Sequence, residues 1–428
     1  MSPKGLSAEE KKVFFLHLGY SLIEGILLGA FILNEFVFLK SLDGSNFQLG
    51  VLFQFKTAVF VIAIFITELV KRYKKSHLLR TVAFVTRLPL LLIFFFPTTH
   101  TGLDDAATLH YTFLLIFLLF YSGQPVIYPA INHYLKKVYK GNHFGKLYGY
   151  AKTAHKIVML LTTFGFGLLL DMDNFAFVYI YPGLSAFGII SVFMLAAMDK
   201  YADVNNYSKK PIWASVKESY QKMIDIIKFN KPYRDFEIAF MLYGFAFMFQ
   251  ISVVTIFMVD FLDLSYSGIA FYKNMYNIIA ILMLPAFGKL MDKIDPRQFA
   301  IITFASLATF IFFVMLTEYF PWHTEIFGIQ FYYVLFIGYL SYSFFAAAMG
   351  IVWSIGSAYF CKPEEAGDYQ SVHLTMVGFR ALFAPLFGVW IYELFGFTVI
   401  FSLAILSLLL GISALMISRK RYHLSMQH

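Results

Sequence analysis

The sequence predicts an all-α integral membrane protein of twelve transmembrane helices in two pseudo-symmetric six-helix bundles, and three observations carry the prediction. Hydrophobic residues make up 59% of the 428 and charged residues 14%, far from the roughly 25% charged residues of soluble domains. The apolar residues fall in repeated runs of about 20, the number a helix needs to cross a hydrocarbon core about 30 Å thick. The one substantial polar stretch, Asp199 to Asp235, lies midway and divides these runs six and six.

Apolar runs between charged or Gly/Pro punctuation place spans near 13–39, 48–70, 80–97, 108–134, 146–170, 175–197, 236–261, 266–289, 298–319, 327–357, 371–393 and 396–418. The chain therefore divides into an amino-terminal bundle (1–198), a cytoplasmic linker (199–235) and a carboxy-terminal bundle (236–428). Met1 to Lys12 is polar and the first apolar run is long enough to stay as a span, so no cleaved signal peptide is expected.

Charge fixes the expected orientation. With both termini inside, the outward connections are Lys40 to Asp43, Thr98 to Ala107, Asp171 to Asn174, Asp263 to Ser267, Glu318 to Ile329 and Glu393 to Phe397, and Lys40 is their only lysine or arginine. Lys71, Arg72, Lys74, Lys75 and Arg80, then Lys136, Lys137, Lys140 and Lys146, then Arg419 to Arg421 all fall on the other side. Positive charge resists translocation, so the reading is a cell (inner) membrane protein with both termini cytoplasmic. The net charge of +8 is then a topology signal, and no nucleic-acid partner is expected. The lone Cys361 excludes an intramolecular disulfide framework and a thiolate metal cluster within the chain. No His-Glu-x-x-His spacing occurs, so neither a metal nor a cofactor is expected.

In the linker, Ile212, Val216, Tyr220, Met223 and Ile227 recur at helical spacing, which predicts an amphipathic helix against the inner leaflet. Asn206-Tyr-Ser208 matches a glycosylation sequon by chance, because this loop is cytoplasmic. The two halves resemble each other weakly. Gly50-Val-Leu-Phe53 and Gly268-Ile-Ala-Phe271 open the second and eighth spans, and Phe166-Gly167 and Phe387-Gly388 fall in the fifth and eleventh.

Between the eighth and ninth spans the chain reads Gly288-Lys-Leu-Met-Asp292-Lys293-Ile-Asp-Pro-Arg297. This resembles the Gly-x-x-x-Asp-Arg/Lys-x-Gly-Arg/Lys loop motif of the major facilitator superfamily. Asp295 stands where that family prefers glycine, and the first-half copy, Thr67-Glu68-Leu-Val-Lys71-Arg72, lacks the glycine and the central acid. Lys140-Gly-Asn-His-Phe-Gly-Lys146 and Pro385-Leu-Phe-Gly388 add to the likeness, which covers almost the whole chain. The resemblance implies two six-helix bundles around a central cavity, substrate bound near the midplane, and alternating access by rocking of the halves. It also implies that Gly288, Asp292, Lys293 and Arg297 form a conformational latch. The first, fourth, seventh and tenth helices would line the cavity.

Ionisable residues inside a span cost about 2.5–3.5 kcal/mol each at its centre. Glu24 lies near the midplane of the first span, where it can be a protonatable coupling carboxylate, the counter-charge of a basic group, or half of a structural ion pair. Lys56, Arg87, Lys152, Lys156, Lys273 and Arg380 outnumber the acids Glu24, Glu35 and Glu68 within predicted spans. Arg87 is expected to pair with Glu68 or the loop motif, and Lys152 to snorkel to the interface. Lys152, His155 and Lys156 share one face of the fifth span, and His373 and Arg380 one face of the eleventh. Such bases can converge on an anionic ligand or can neutralise neighbouring acids and helix ends.

Gln124, Tyr128, Tyr243, Gln250, Asn274 and Asn277 are placed to hydrogen-bond a ligand, each other or water, and Tyr342 and Trp353 are the aromatic cavity candidates. The function expected is secondary transport of a small solute, an organic anion by preference, with protons as the candidate coupling ion. The rival is export or flipping of an amphipathic drug or lipid. A receptor or channel is the alternative outside transport. No catalytic constellation appears, so an enzyme is not expected. The partners expected are the lipid bilayer, the substrate and protons, with the chain a monomer.

Overall fold

Ser7 and Glu10 start the first helix by a reciprocal cap, in which the Glu10 amide donates to Ser7 Oγ at 3.1 Å and the Ser7 amide to Glu10 Oε2 at 2.9 Å. In the computed structural model, which describes residues 6–62, 66, 72–102, 106–139, 141–202, 211–291, 293–362 and 365–422, this helix is α1 (Ala8–Phe31). There follow α2 (Asn34–Lys40), α3 (Asn46–Ala58), α4 (Lys75–Arg87), α5 (Ala106–Ser122), α6 (Gln124–Val138), α7 (Gly141–Met172) and α8 (Phe177–Ala197). Then come α9 (Ile212–Phe229), α10 (Lys231–Ile256), α11 (Tyr266–Met291), α12 (Pro296–Tyr319), the strands β1 (His323–Ile326) and β2 (Ile329–Tyr332), α13 (Tyr333–Ile355), α14 (Ala366–Ala381) and α15 (Ala384–Arg421).

Ten helical stretches among the described residues are long and apolar enough to cross a membrane. The last of them, Asp368–Arg421, runs to 54 residues and is broken at Gly396, whose φ of 81° and ψ of −178° only glycine adopts without strain. That break falls in the connection expected at Glu393 to Phe397. The span expected at 48–70 begins with α3, and its second part, Glu68 included, lies largely outside the described residues. Proline shapes two other spans. After Arg87 the chain tightens into a 3₁₀ segment, Leu88–Phe95, because Pro89 has no N–H to give. Gly123 and Pro125 divide α5 from α6.

The chain forms two compact units, one of Met1–Gln48 with Ile62–Val216, the other of Leu49–Val61 with Lys217–His428. In the first, α1 packs on α7 and α8, and α4 on α8. The α1/α7 crossing is set by Gly25-Ile-Leu-Leu-Gly29. A Cβ at Gly25 would stand 2.7 Å from the His155 carbonyl oxygen, and one at Gly29 would stand 2.6 Å from that of Met159. Close backbones of this kind supply the packing that lipid cannot drive by hydrophobicity. Thr163 Oγ1 donates to the Gly29 carbonyl at 2.9 Å. Gly29→Leu is expected to lower unfolding stability by at least about 1–3 kcal/mol, the usual cost of overpacking, and Gly29→Ala by less; an unchanged thermal midpoint for Gly29→Leu would contradict this packing.

In the second unit α10 packs on α15, α12 on α13 and α15, and α11 on α13. The connection between α12 and α13 contains a hairpin, with His323 opposite Tyr332 and Ile326 opposite Ile329. Phe327 and Gly328 turn it with φ of 52° and 76°, the positive pair that matches strand twist in a two-residue loop. Tyr332 ties it down, its amide donating to Tyr272 Oη at 2.8 Å and its hydroxyl to the Leu262 carbonyl at 3.1 Å. Hence the tenth span starts at Tyr333 rather than at 327.

The linker helix α9 buries Met223 and exposes Trp213, Tyr220 and Ile224, so Tyr220 lies off the buried side. Lys222 Nζ meets Asp368 Oδ2 at 2.6 Å, and that hydrogen bond and charge raise the Lys222 pKa. At the same end of α14, burial pushes the Cys361 thiol up to about 11.

Candidate functional site

Each unit buries a glutamate against a basic side chain, and the second unit adds a buried cation beside an aromatic cavity. In the first unit Glu24 on α1 meets Arg87 at the end of α4, Nη2 to Oε1 at 3.5 Å, both side chains buried. Ser191 Oγ on α8 donates to the same oxygen at 2.7 Å. The Arg87 guanidinium lies over the Phe120 ring of α5, 3.8 Å from its centroid, and Ser185 Oγ donates to the Arg87 carbonyl at 2.8 Å. Four helices thus enclose one acid and one base. Arg87 takes Glu24 as its partner, where the sequence suggested Glu68 or the loop motif; Glu68 lies outside the described residues.

His155 of α7 is buried with Nδ1 against the Ser21 carbonyl at 3.0 Å, which ties it to α1, while Lys152 is exposed and Lys156 half-buried.

In the second unit His373 on α14 faces Glu237 on α10, with Nδ1 3.1 Å from both carboxylate oxygens and both side chains almost fully buried. The Trp353 ring of α13 stands edge-on to His373 at 5.9 Å. His373 Nε2 is buried with no hydrogen-bond partner among the described residues. Sequence reading missed Glu237 by starting the seventh span at 236, at the helix end. In fact α10 begins at Lys231, capped by Asn230 with Pro232 in its first turn, which puts Glu237 nearly two turns inside. Asn230-Lys-Pro232 was the available signal.

Arg380, two turns after His373, is 3% exposed. Its Nη1 donates to the Phe240 carbonyl, and its guanidinium lies 5.5 Å from the Tyr243 ring centroid. It packs against Gly244, where a Cβ would collide with the guanidinium. Arg380 Nε has no hydrogen-bond partner, and no carboxylate lies within ion-pair distance of the side chain among the described residues. Glu237, one turn before Phe240, is engaged by His373.

Tyr243 stacks on Phe304 with centroids 4.9 Å apart and planes at 11°. Its ring forms one wall of a cavity of about 290 Å³, lined also by Phe247, Tyr276, Tyr342, Phe345 and Trp353, with Ala346, Met349 and Gly350. Three residues singled out from sequence, Tyr243, Tyr342 and Trp353, therefore surround one space, with Arg380 against the first.

None of the other expected site residues is among those lining it. Lys56 is half-buried, its ammonium 5.8 Å from the Phe53 ring. Lys273 is half-buried on α11, and its carbonyl accepts from Asn277 Nδ2 at 2.7 Å. Gln250 is buried, with Oε1 unpartnered among the described residues. Of the latch residues, Asp292 lies outside the described residues, Lys293 is exposed, and no atom lies within 4 Å of where a Gly288 Cβ would be. Arg297 is fully buried inside its own unit. It bonds Asp295 at 2.7 and 3.0 Å, the Ser418 carbonyl at 3.0 Å and the Tyr422 carbonyl at 2.8 Å. The departure at Asp295 thus has a use. It caps α12 by accepting from the Arg297 amide at 2.8 Å and holds the guanidinium that satisfies the last carbonyls of α15.

A family model of the Major Facilitator Superfamily matches residues 13–339 and 236–425. No curated protein matches the chain. Among solved structures, the chain is similar to the peptide transporter POT in complex with sulfate at 13% identity and a TM-score of 0.68, covering 97% of this chain and 96% of that one. The nucleoside transporter NupG is similar at 12% identity and TM-score 0.63, covering 97% and 100%. The D-xylose-proton symporter is similar at 15% identity and TM-score 0.61, covering 97% of each. At such identities these likenesses speak to the fold.

Proposed function

The chain belongs to the major facilitator superfamily, and from that premise we propose a secondary active transporter that carries a small organic anion across the membrane by alternating access, coupled to protons. The single observation behind the choice of an anion is Arg380. A buried charge without a partner at contact distance costs several kcal/mol, and no carboxylate among the described residues lies at ion-pair distance from this one, Glu237, whose charge reaches it, being engaged by His373. An anionic ligand beside Tyr243 would supply the missing charge where the low dielectric strengthens the attraction. Glu24 is the proposed coupling carboxylate, since its protonation would release Arg87. We place both termini in the cytoplasm of a cell-membrane monomer, on the clustering of lysine and arginine described above, and assign no enzymatic activity.

A second reading, transport of a lipid or drug, draws on an apolar hollow of about 410 Å³ in the first unit, lined by Leu16, Ile189, Ile190, Phe193, Met194 and Ala197. It leaves Arg380 without a counter-charge. A thermal-stabilisation screen of the purified protein separates the two, because a ligand at 100 times its Kd adds about 2.7 kcal/mol to the folded state. Organic anions are expected to raise the midpoint. Stabilisation only by lipids or hydrophobic cations would favour the second reading.

A further inference from the structure

We propose that the aromatic cavity of the second unit is a subsite for a flat ring, so that the carried solute is an aromatic or heteroaromatic acid. The inference rests on the organic-anion reading and narrows it. Six of the nine lining residues are aromatic, and they are held in fixed orientations by one another. Tyr276 stands edge-on to Tyr342 at 4.7 Å and 90°, Tyr342 meets Phe345 at 5.3 Å, and Tyr243 is backed by Phe304. Rigid rings reward an incoming ring through offset or edge-to-face contact, beyond the area it buries. The space arises because α13 places Ala346 and Gly350 one turn apart among these large residues, and no atom lies within 4 Å of where a Gly350 Cβ would be.

Charge restricts the occupant, and size permits a ring. A closed cavity of about 150 Å³ holds benzene, so the open-sided hollow of 290 Å³ here has room for one or two fused rings with a substituent. A box of aromatic faces would ordinarily attract a cation. Here the Arg380 guanidinium already lies against the Tyr243 ring, so a second cation is repelled while a carboxylate on the ring is drawn in.

The test measures binding to the purified full chain of matched probes: benzoate against cyclohexanecarboxylate, which share charge and approximate size but differ in flatness, then benzamide, and a panel of one- and two-ring aromatic carboxylates. At least one aromatic acid should bind tenfold or more tighter than its saturated counterpart. Gly350→Leu, which fills open space, should abolish that preference without lowering the ligand-free thermal midpoint, and Tyr276→Leu, which removes a ring, should abolish it too. Equal binding of flat and saturated acids, a preference that survives both variants, or no aromatic acid bound overturns the ring subsite and leaves the organic-anion reading standing. Benzoate and benzamide bound alike, and both lost in Gly350→Leu, would support the ring subsite and remove the anion.

Discussion

Replacing Arg380 by alanine is expected to weaken binding of an organic anion by about 100-fold or more while leaving the ligand-free protein as stable as before, or more so. The two effects separate because of how the side chain is held. Its charge is 3% exposed and bonded to one carbonyl, with Nε unpartnered and no carboxylate at ion-pair distance among the described residues. Removing it from the empty protein removes a desolvated cation and breaks no salt bridge, so apo stability should change by less than about 1 kcal/mol or rise. Removing it from the liganded protein strands the ligand's carboxylate, a loss of about 2–5 kcal/mol, and each 1.4 kcal/mol is tenfold in affinity. Thermal midpoints without ligand and dissociation constants with it measure the two halves. A destabilised apo protein with unchanged affinity would make Arg380 structural.

Breaking the Glu24–Arg87 pair should have the opposite signature. Glu24→Gln leaves Arg87 as a buried guanidinium whose Nε and Nη1 already lack hydrogen-bond partners among the described residues, and Arg87→Met leaves the buried carboxylate held by the Ser191 hydroxyl without its cation. Each single change is expected to cost about 3–5 kcal/mol, and the double change much less than the sum, because a well-packed neutral pair avoids both desolvation penalties. Unfolding stabilities of the four proteins in one detergent give the coupling, and additive losses would show that the contact carries no energy. If Glu24 is also the coupling group, Glu24→Gln should abolish accumulation driven by a pH gradient while solute exchange survives. Undiminished accumulation in that variant would remove Glu24 from coupling.

Much of the architecture was legible because a bilayer is so strict a solvent. Apolar runs depend on composition over many residues, and small errors cancel. Contacts between helices leave a fainter trace. His155 and Lys156 share a face by spacing, yet the close α1/α7 crossing at Gly25 and Gly29 turns His155 onto the Ser21 carbonyl, and periodicity cannot say which neighbour a face meets. Arg87 found Glu24 across 63 positions, a pairing that local sequence does not encode. Glu237 was lost to a boundary error of five residues. The hairpin's second strand, Ile329–Tyr332, was read as part of a span because Ile329, Phe331 and Tyr332 run on without a break into the apolar helix that follows. By contrast Tyr243, chosen as a hydrogen-bonding group on the seventh span, and Tyr342 and Trp353, chosen as aromatics on the tenth, do lie around one cavity.

Uptake into proteoliposomes of a labelled organic anion chosen by the stabilisation screen, under an imposed inward proton gradient, tests the central claim most directly. The account predicts accumulation above the external concentration, collapse of that accumulation when the gradient is dissipated, and its loss in Arg380→Ala. Accumulation of the anion by Arg380→Ala at the wild-type rate and affinity would contradict it.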